Sequence, residues 1–251
     1  MQEDFYYIAA IYSTKKVEIY MNNSEIHQTY NRLWSQALQS IQTNSLRLDS
    51  NLLNKPGDSR RGFTLICRPS QRVQHSVMEF LKEAQQIEPN QYYYKSTELH
   101  TTVLSIITCN ADFKLSEIDI APYVEVLHQS IKSISSFNIS YRGITASPDS
   151  IMIQGFPNDS TLEELRQNIR ENFRKSGIKS TLDQRYKTHT AHMTCLRFQD
   201  SDLKNSDKLL WYLNENRDFN FGTSEITNLE FVLNDWYMSD EKTEVLQRYS
   251  L

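Results

Sequence analysis

Leu99-His100-Thr101-Thr102-Val103 and Ala191-His192-Met193-Thr194-Cys195 are two short apolar runs in which a histidine stands two residues before a threonine. Alternate residues of a β-strand point to the same face, so each run would present an imidazole beside a hydroxyl. Such a pair of runs suits a phosphodiester substrate. One imidazole can accept a proton, the other can donate one, and the hydroxyls can hold phosphate oxygens.

The spacing between histidine and threonine is not distinctive by itself. His27-Gln28-Thr29 and His128-Gln129-Ser130 also match it, but both lie in patterns with helical period. In a helix, residues i and i+2 point about 200° apart. Only His100 and His192 therefore predict a paired site, and the alternative for each is a partly buried, hydrogen-bonded strand histidine.

Length and composition predict a globular chain that binds a small ligand. The 251 residues can bury a substantial core, as one large domain or as a domain plus an extension. The net charge of −4 argues against a protein that coats nucleic acid, whereas a nucleotide or a nucleic-acid end remains a fitting partner. No apolar run is long enough to span a membrane, and acidic residues precede the first short one, which disfavours a secretory signal.

The cysteines and the charged residues support the same prediction. Cys67, Cys109 and Cys195 lie in apolar contexts without metal-ligand spacing, which favours buried free thiols in a reducing, cytoplasmic compartment. Positive charge is concentrated just before the second histidine run, as a solvated helix face or a rim that attracts phosphate. The residues are Arg170, Arg174, Lys175, Lys179, Arg185 and Lys187.

The first 55 residues read as a helical extension of a domain that spans residues 56–251. Ser24 can cap a helix whose apolar stripe recurs at i, i+4, i+7 and i+8. The stripe comprises Ile26, Tyr30, Leu33, Trp34, Ala37, Leu38 and Ile41. It would pack on the main domain, or alternatively on a partner or a second copy of the chain. Asp49 to Gly62 reads as a connector.

The main domain shows a duplicated order of elements. A strand at Phe63–Cys67, a helix and the first histidine run are followed by a hairpin around Ser147-Pro148-Asp149, a helix and the second histidine run. The box Ser160-Thr161-Leu162-Glu163 would begin the second helix, Gly177 would end it, and Ser116 would begin the helix before it. Two copies related by a pseudo-twofold axis would face the two histidines across one cleft.

These runs and their order resemble the 2H phosphoesterase superfamily, which includes the bacterial RNA ligase-like and cyclic phosphodiesterase proteins. The resemblance rests on His100-Thr101-Thr102-Val103 and His192-Met193-Thr194-Cys195 and covers about residues 60 to 251. It implies a bilobal, duplicated α+β fold with antiparallel sheets around a central cleft and helices outside. It also implies metal-independent cleavage of a cyclic phosphodiester, most often a 2',3'-cyclic phosphate.

Carried over to this chain, the resemblance makes His100 and His192 the acid–base pair, while Thr102 and Thr194 bind the phosphate. Arg185, Tyr186 and Lys187 are further candidates for substrate binding. Tyr94, Tyr141 and Tyr186 could stack on a base or simply pack. We expect no cofactor and no metal, because His189-x-x-His192 would splay across a strand and lacks a third ligand.

Two other functions remain open at this point. The same residues could run the reaction in reverse, as a 2'-5' RNA ligase, since acid–base catalysis works in both directions. The cleft could also hold a nucleotide or RNA end without turnover. Two titratable side chains favour catalysis over binding, because binding alone could use arginines or backbone amides.

Overall fold

The computed structural model describes residues 24–185 and 187–251, which form an α+β fold of two antiparallel sheets with helices packed on them. The helices are α1 (residues 24–42), α2 (Gln71–Ile87), α3 (Ala121–Ile131), α4 (Thr161–Ser176) and α5 (Ser206–Glu215). The strands are β1 (Arg61–Cys67), β2 (Tyr92–Tyr93), β3 (Thr101–Asn110), β4 (Phe137–Ser147), β5 (Ser150–Pro157), β6 (Met193–Arg197), β7 (Asn220–Ile226), β8 (Asn228–Asp235) and β9 (Glu244–Ser250).

The two sheets contain the predicted duplication. The first has the order β3-β1-β8-β9 and the second β2-β6-β5-β4-β7, and neighbouring strands are antiparallel throughout. In the first copy, the chain runs from β1 through α2 and the short β2 to β3, and β1 pairs with β3. In the second copy, β5, α4 and β6 do the same. The predicted fold class is therefore confirmed, with one histidine run in each sheet.

The helices of the two copies exchange partners. Helix α2, which joins two strands of the first sheet, packs on β7 of the second, whereas α4 packs on α3 and β3. Each copy thus needs the other to cover the apolar face of its own helix. This exchange brings β3 and β6 into contact at the centre of the molecule.

Central strands are apolar on both faces because helices or the opposite sheet cover both sides. Gly62 to Cys67 of β1 and all of β5 are buried, and their sequences are mainly apolar, with Thr64, Ser150 and Gln154 as buried polar residues. The outer strand β7 instead alternates buried and exposed residues. Its polar sequence, with Gly222, carries no strand signal, and it was not predicted.

The apolar stripe of α1 packs on the main domain, which was the first of its two predicted positions. Ile26, Tyr30, Trp34, Ala37 and Ile41 are all buried. The helix lies across β4 and β5, because Thr145 donates a hydrogen bond to the backbone carbonyl of Tyr30 and the Tyr30 ring meets Phe156 edge-on. The stripe is thus covered by this chain's own core.

The predicted helix starts need correction. Ser160 precedes α4 but makes no capping hydrogen bond, and the Thr161 amide instead donates to the Asp159 carboxylate at 2.9 Å. Ser116 lies in a separate single turn, whereas α3 begins at Ala121, whose amide donates to Asp119. In both cases an aspartate two residues before the donor amide is the stronger acceptor. Gly177 ends α4 in the left-handed conformation, with φ of 68°, as predicted.

The predicted connector is more ordered than its composition suggested. Ser50–Gly57 forms a short 3-10 segment with a kink at Asn54, and β1 already begins at Arg61. Among the helices of residues 24–185 and 187–251, none is both long enough and apolar enough to cross a membrane.

Candidate active site

The two histidine runs meet in one cleft between the sheets. His100 directly precedes β3 and His192 directly precedes β6, so each histidine lies one residue outside its strand rather than within it. Thr102 and Thr194 are the second residues of these strands. All four side chains line the same cleft, which is the juxtaposition predicted from the duplicated order.

A backbone carbonyl orients the first imidazole. His100 Nδ1 lies 2.8 Å from the carbonyl oxygen of Glu98. Because a carbonyl only accepts hydrogen bonds, Nδ1 carries the proton and the neutral ring keeps its lone pair on Nε2. The turn itself is held by the buried Glu98 carboxylate, which accepts hydrogen bonds from the Lys95 and Asp240 amides.

A hydroxyl orients the second imidazole. His192 Nδ1 lies 2.9 Å from Thr190 Oγ1. A hydroxyl can donate or accept, so this contact is compatible with either tautomer of His192. The two copies therefore hold equivalent imidazole rings, but the contact at Nδ1 fixes the tautomer of His100 and leaves both tautomers open to His192.

Both imidazoles are neutral at pH 7 in the free protein. Burial lowers the pKa of His100 to about 4, with the Arg68 guanidinium and the neighbouring His192 acting in the same direction. Burial likewise lowers the pKa of His192 to about 4, assisted by Arg166 and Arg197. A bound phosphate would oppose this effect, because its negative charge favours the imidazolium form.

Arg166 ties the two histidine strands together. This α4 residue is almost fully buried, at 1% exposure. Its guanidinium donates to the carbonyl oxygens of Val103 (3.0 Å), Thr102 (3.2 Å) and Thr190 (2.7 Å). Two of these carbonyls belong to the first histidine strand and one to the segment before His192. A single side chain thus fixes the separation of the two halves of the cleft.

Helix α1 supports the His192 half from behind. The buried Tyr30 hydroxyl donates to the Gly155 carbonyl and accepts from the Gly155 amide. Gly155 lies against the backbone of Ala191, and a Cβ there would overlap the Ala191 carbonyl oxygen. Thr29 also contacts His189 Nε2 at 3.0 Å. The predicted extension therefore contributes directly to the position of the second histidine.

One part of the cleft wall is cationic and aromatic. Arg197 Nε donates to the Tyr94 hydroxyl at 3.0 Å, and the Arg185 guanidinium lies 4.7 Å from the centre of the Trp236 ring. All four residues line the cleft. Sequence analysis singled out Arg185 but missed Arg197 and Trp236. The signal for Trp236 was a tryptophan directly after the polar pair Asn234-Asp235 at the end of an apolar strand.

Other predicted site residues lie elsewhere. Lys187 is exposed and is not among the residues that line the cleft, and Tyr186 lies outside the described residues. The Tyr94 and Tyr141 rings are buried, so neither offers a free face to a base. Most of the predicted cationic rim is solvated or paired, since Arg170 binds Asp183 and Lys175 binds Glu171.

The cysteines and His189 do not extend the site. Burial raises the pKa of the Cys67 and Cys109 thiols to about 12 and that of Cys195 further. Cys67 and Cys195 are buried as predicted, whereas Cys109 is half-buried at the cleft. Within residues 24–185 and 187–251, no three histidine, cysteine or acidic side chains are grouped closely enough to hold a metal ion.

Comparison with known proteins supports the fold independently. No family model matches the sequence, and no curated protein matches it. Among solved structures, E. coli LigT complexed with 3'-AMP is similar, with 10% identity, a TM-score of 0.52 and coverage of 76% of this chain and 98% of LigT. The protein TT0787 of Thermus thermophilus has 13% identity, a TM-score of 0.54 and coverage of 76% and 97%.

A third structure is described only as a phosphoesterase, with 10% identity, a TM-score of 0.52 and coverage of 76% and 98%. Each of the three is matched over nearly its whole length. At these identities the similarity establishes architecture rather than activity. This chain therefore has the same fold as these three structures, in agreement with the fold that the resemblance of its two histidine runs implied.

Proposed function

We propose that the protein is a metal-independent phosphodiesterase that hydrolyses a cyclic phosphodiester, with the 2',3'-cyclic phosphate of a nucleotide or RNA end as the favoured substrate. The observation that carries the proposal is the convergence of His100, Thr102, His192 and Thr194 on one cleft. The fold shared with LigT and a phosphoesterase supports the same reaction class.

The geometry suits an acid and a base that act on opposite sides of a phosphorus atom. His100 has a lone pair on Nε2 and can take a proton from the attacking water. His192 can deliver a proton to the ribose oxygen as the ring opens. The substrate's negative charge raises the pKa of the imidazoles from about 4, which favours the imidazolium that this step needs. The threonine hydroxyls donate hydrogen bonds to the phosphate oxygens.

The reaction breaks one phosphorus–oxygen bond of the ring and forms another to water. A 2',3'-cyclic phosphate therefore becomes a 2'- or 3'-phosphomonoester. LigT has been crystallised with 3'-AMP, a nucleotide with a phosphate of this kind. This similarity supports a ribonucleotide as the substrate class.

The decisive test is hydrolysis of the four nucleoside 2',3'-cyclic monophosphates in the presence of EDTA. We expect turnover by the wild type and a loss of at least ~10²-fold in His100→Ala and in His192→Ala. His128→Ala is a matched control, because His128-Gln129-Ser130 has similar spacing but lies on α3 and His128 is exposed. It should retain wild-type activity.

Two results would contradict the proposal. Undiminished turnover in either cleft variant would remove that histidine from the chemistry. Absence of wild-type turnover, together with tight binding of 3'-AMP, would favour a nucleotide-binding module instead.

A further inference from the structure

A second pocket of about 270 Å³ adjoins the candidate active-site cleft. Arg185, Arg197 and Trp236 line both cavities, so the two cavities meet at these residues. The far side is built by Arg47 and Arg60, with the short segment that follows Arg47. This far side lies at or before the start of the region that resembles the phosphoesterase superfamily, so the segment before residue 60 supplies about half of the pocket lining.

The charge of the pocket favours an anion. Its lining contains four arginines, Arg47, Arg60, Arg185 and Arg197, against two aspartates, Asp49 and Asp149. The chain as a whole has a net charge of −4, so this concentration of guanidinium groups runs against its overall charge. Guanidinium groups match the geometry of phosphate oxygens and bind them through paired hydrogen bonds.

The pocket is held in shape by contacts that do not need a ligand. Arg60 is fixed by Asp49 and Asp58, each at 2.7 Å. The Tyr237 hydroxyl donates to Asp49 at 2.9 Å, and the Arg47 amide donates to the Pro148 carbonyl at 2.8 Å. The far wall is thereby attached to the end of β8 and to the β4–β5 turn, so it is fixed relative to the cleft.

Among the described residues, the four arginines of the pocket fall into two pairs. Arg60 and Arg197 lie beside carboxylates, with Arg197 at 3.6 Å from Asp149. Within the described part of the chain, no carboxylate lies within salt-bridge distance of Arg47 or Arg185. The Arg60 and Arg185 guanidinium groups lie 5.0 Å and 4.7 Å from the centre of the Trp236 ring, so this ring contacts both cations.

We propose that this pocket binds the 5'-phosphoryl group of the nucleotide whose cyclic phosphate lies between His100 and His192. The proposal rests on the function proposed above. A ribose that carries a 2',3'-cyclic phosphate can bear a second phosphate only through its 5' oxygen, and the shared lining residues Arg185 and Trp236 place the two sites next to each other. The 5'-phosphoryl group can be the 5'-phosphate of a mononucleotide or the phosphodiester that links the terminal nucleotide to the preceding nucleotide of an RNA chain.

The test compares three substrates that share one cyclic end. They are adenosine 2',3'-cyclic monophosphate, its 5'-phosphorylated form, and a dinucleotide that ends in adenosine 2',3'-cyclic phosphate. We expect kcat/KM to be at least about tenfold higher for a 5'-phosphorylated substrate than for the 5'-hydroxyl form. In Arg47→Gln this ratio should fall towards one. Arg72→Gln is the control, because Arg72 is exposed on α2 and lines a separate depression, and it should keep the wild-type ratio.

The outcomes separate this inference from the proposed function. Equal kcat/KM for all three substrates in an active wild type would overturn the subsite and leave the phosphodiesterase. A higher kcat/KM for the 5'-monophosphate alone identifies a mononucleotide as the substrate. A higher kcat/KM for the dinucleotide as well identifies an RNA end as the substrate. If none of the three is hydrolysed, binding of adenosine 3',5'-bisphosphate and of 3'-AMP decides. Equal affinities would overturn the subsite, whereas a bisphosphate preference that Arg47→Gln abolishes would support it.

Discussion

The two histidine halves of the cleft are near copies that differ in what holds each ring. A backbone carbonyl holds His100, whereas the side chain of Thr190 holds His192. The carbonyl fixes one tautomer, and the hydroxyl permits both. Helix α1 braces the His192 half, through Tyr30 and Gly155. Duplication therefore supplied two similar imidazoles, while local contacts made them chemically distinct.

Arg166 donates hydrogen bonds to both halves of the cleft, so we expect its removal to have the largest effect on the stability of the protein. Arg166→Met leaves the carbonyls of Thr102, Val103 and Thr190 without their donor in a buried site. We expect the free energy of unfolding to fall by roughly 3–5 kcal/mol in urea denaturation. Arg170→Met, one turn along α4, removes partly exposed contacts with Asp183, Glu163 and the Thr188 carbonyl and should cost about 1–2 kcal/mol. Equal losses in the two variants would contradict a bridging role for Arg166.

Removal of the Thr190 hydroxyl should affect the His192 half alone. Thr190→Val keeps the shape of the side chain but frees His192 Nδ1, so the ring loses its orientation. On the proposed mechanism we expect kcat to fall about tenfold with KM little changed, because a small misplacement of a reacting group is sufficient for such a loss. Thr190→Ser should restore kcat. A change confined to KM, or no rescue by serine, would show that Thr190 only packs.

Much of this arrangement could be predicted because it is local in sequence. Strand β1 and the start of β5 contain short apolar runs, Gly177 ends α4, and the repeated order places both histidine runs at equivalent positions. The pairing of His100 with His192 follows from that repetition. The roles of the site residues stay predictions until activity is measured.

What could not be predicted depends on contacts between distant segments. Arg166 resembles any charged residue of a surface helix, and it is buried only because three carbonyls from two other segments surround it. Trp236 and Arg60 are far apart in the chain and meet only when β1 pairs with β8. Ser160 has the right spacing for a cap, but the nearby Asp159 carboxylate takes the hydrogen bond instead.

The smallest difference that we expect between the two halves is in the pH dependence of stability. Both histidines have a pKa of about 4 in the folded chain, against about 6.5 when unfolded, so the unfolded chain binds more protons between these values. Their contribution to stability is therefore complete above about pH 6.5 and is lost as pH falls towards about 4. Because both rings are only half-buried, we expect about 1 kcal/mol from each.

Urea denaturation near pH 7 and near pH 5 would resolve the two contributions. His100→Gln and His192→Gln should each reduce the loss of stability on acidification. The Glu98 carbonyl also stabilises the charged form of His100, since Nδ1 donates to it in either protonation state. The Thr190 hydroxyl must rotate to accept from a charged His192. The His192 variant should therefore show the larger reduction, and a larger reduction in His100→Gln would mean that the hydroxyl, not the carbonyl, is the better partner for an imidazolium.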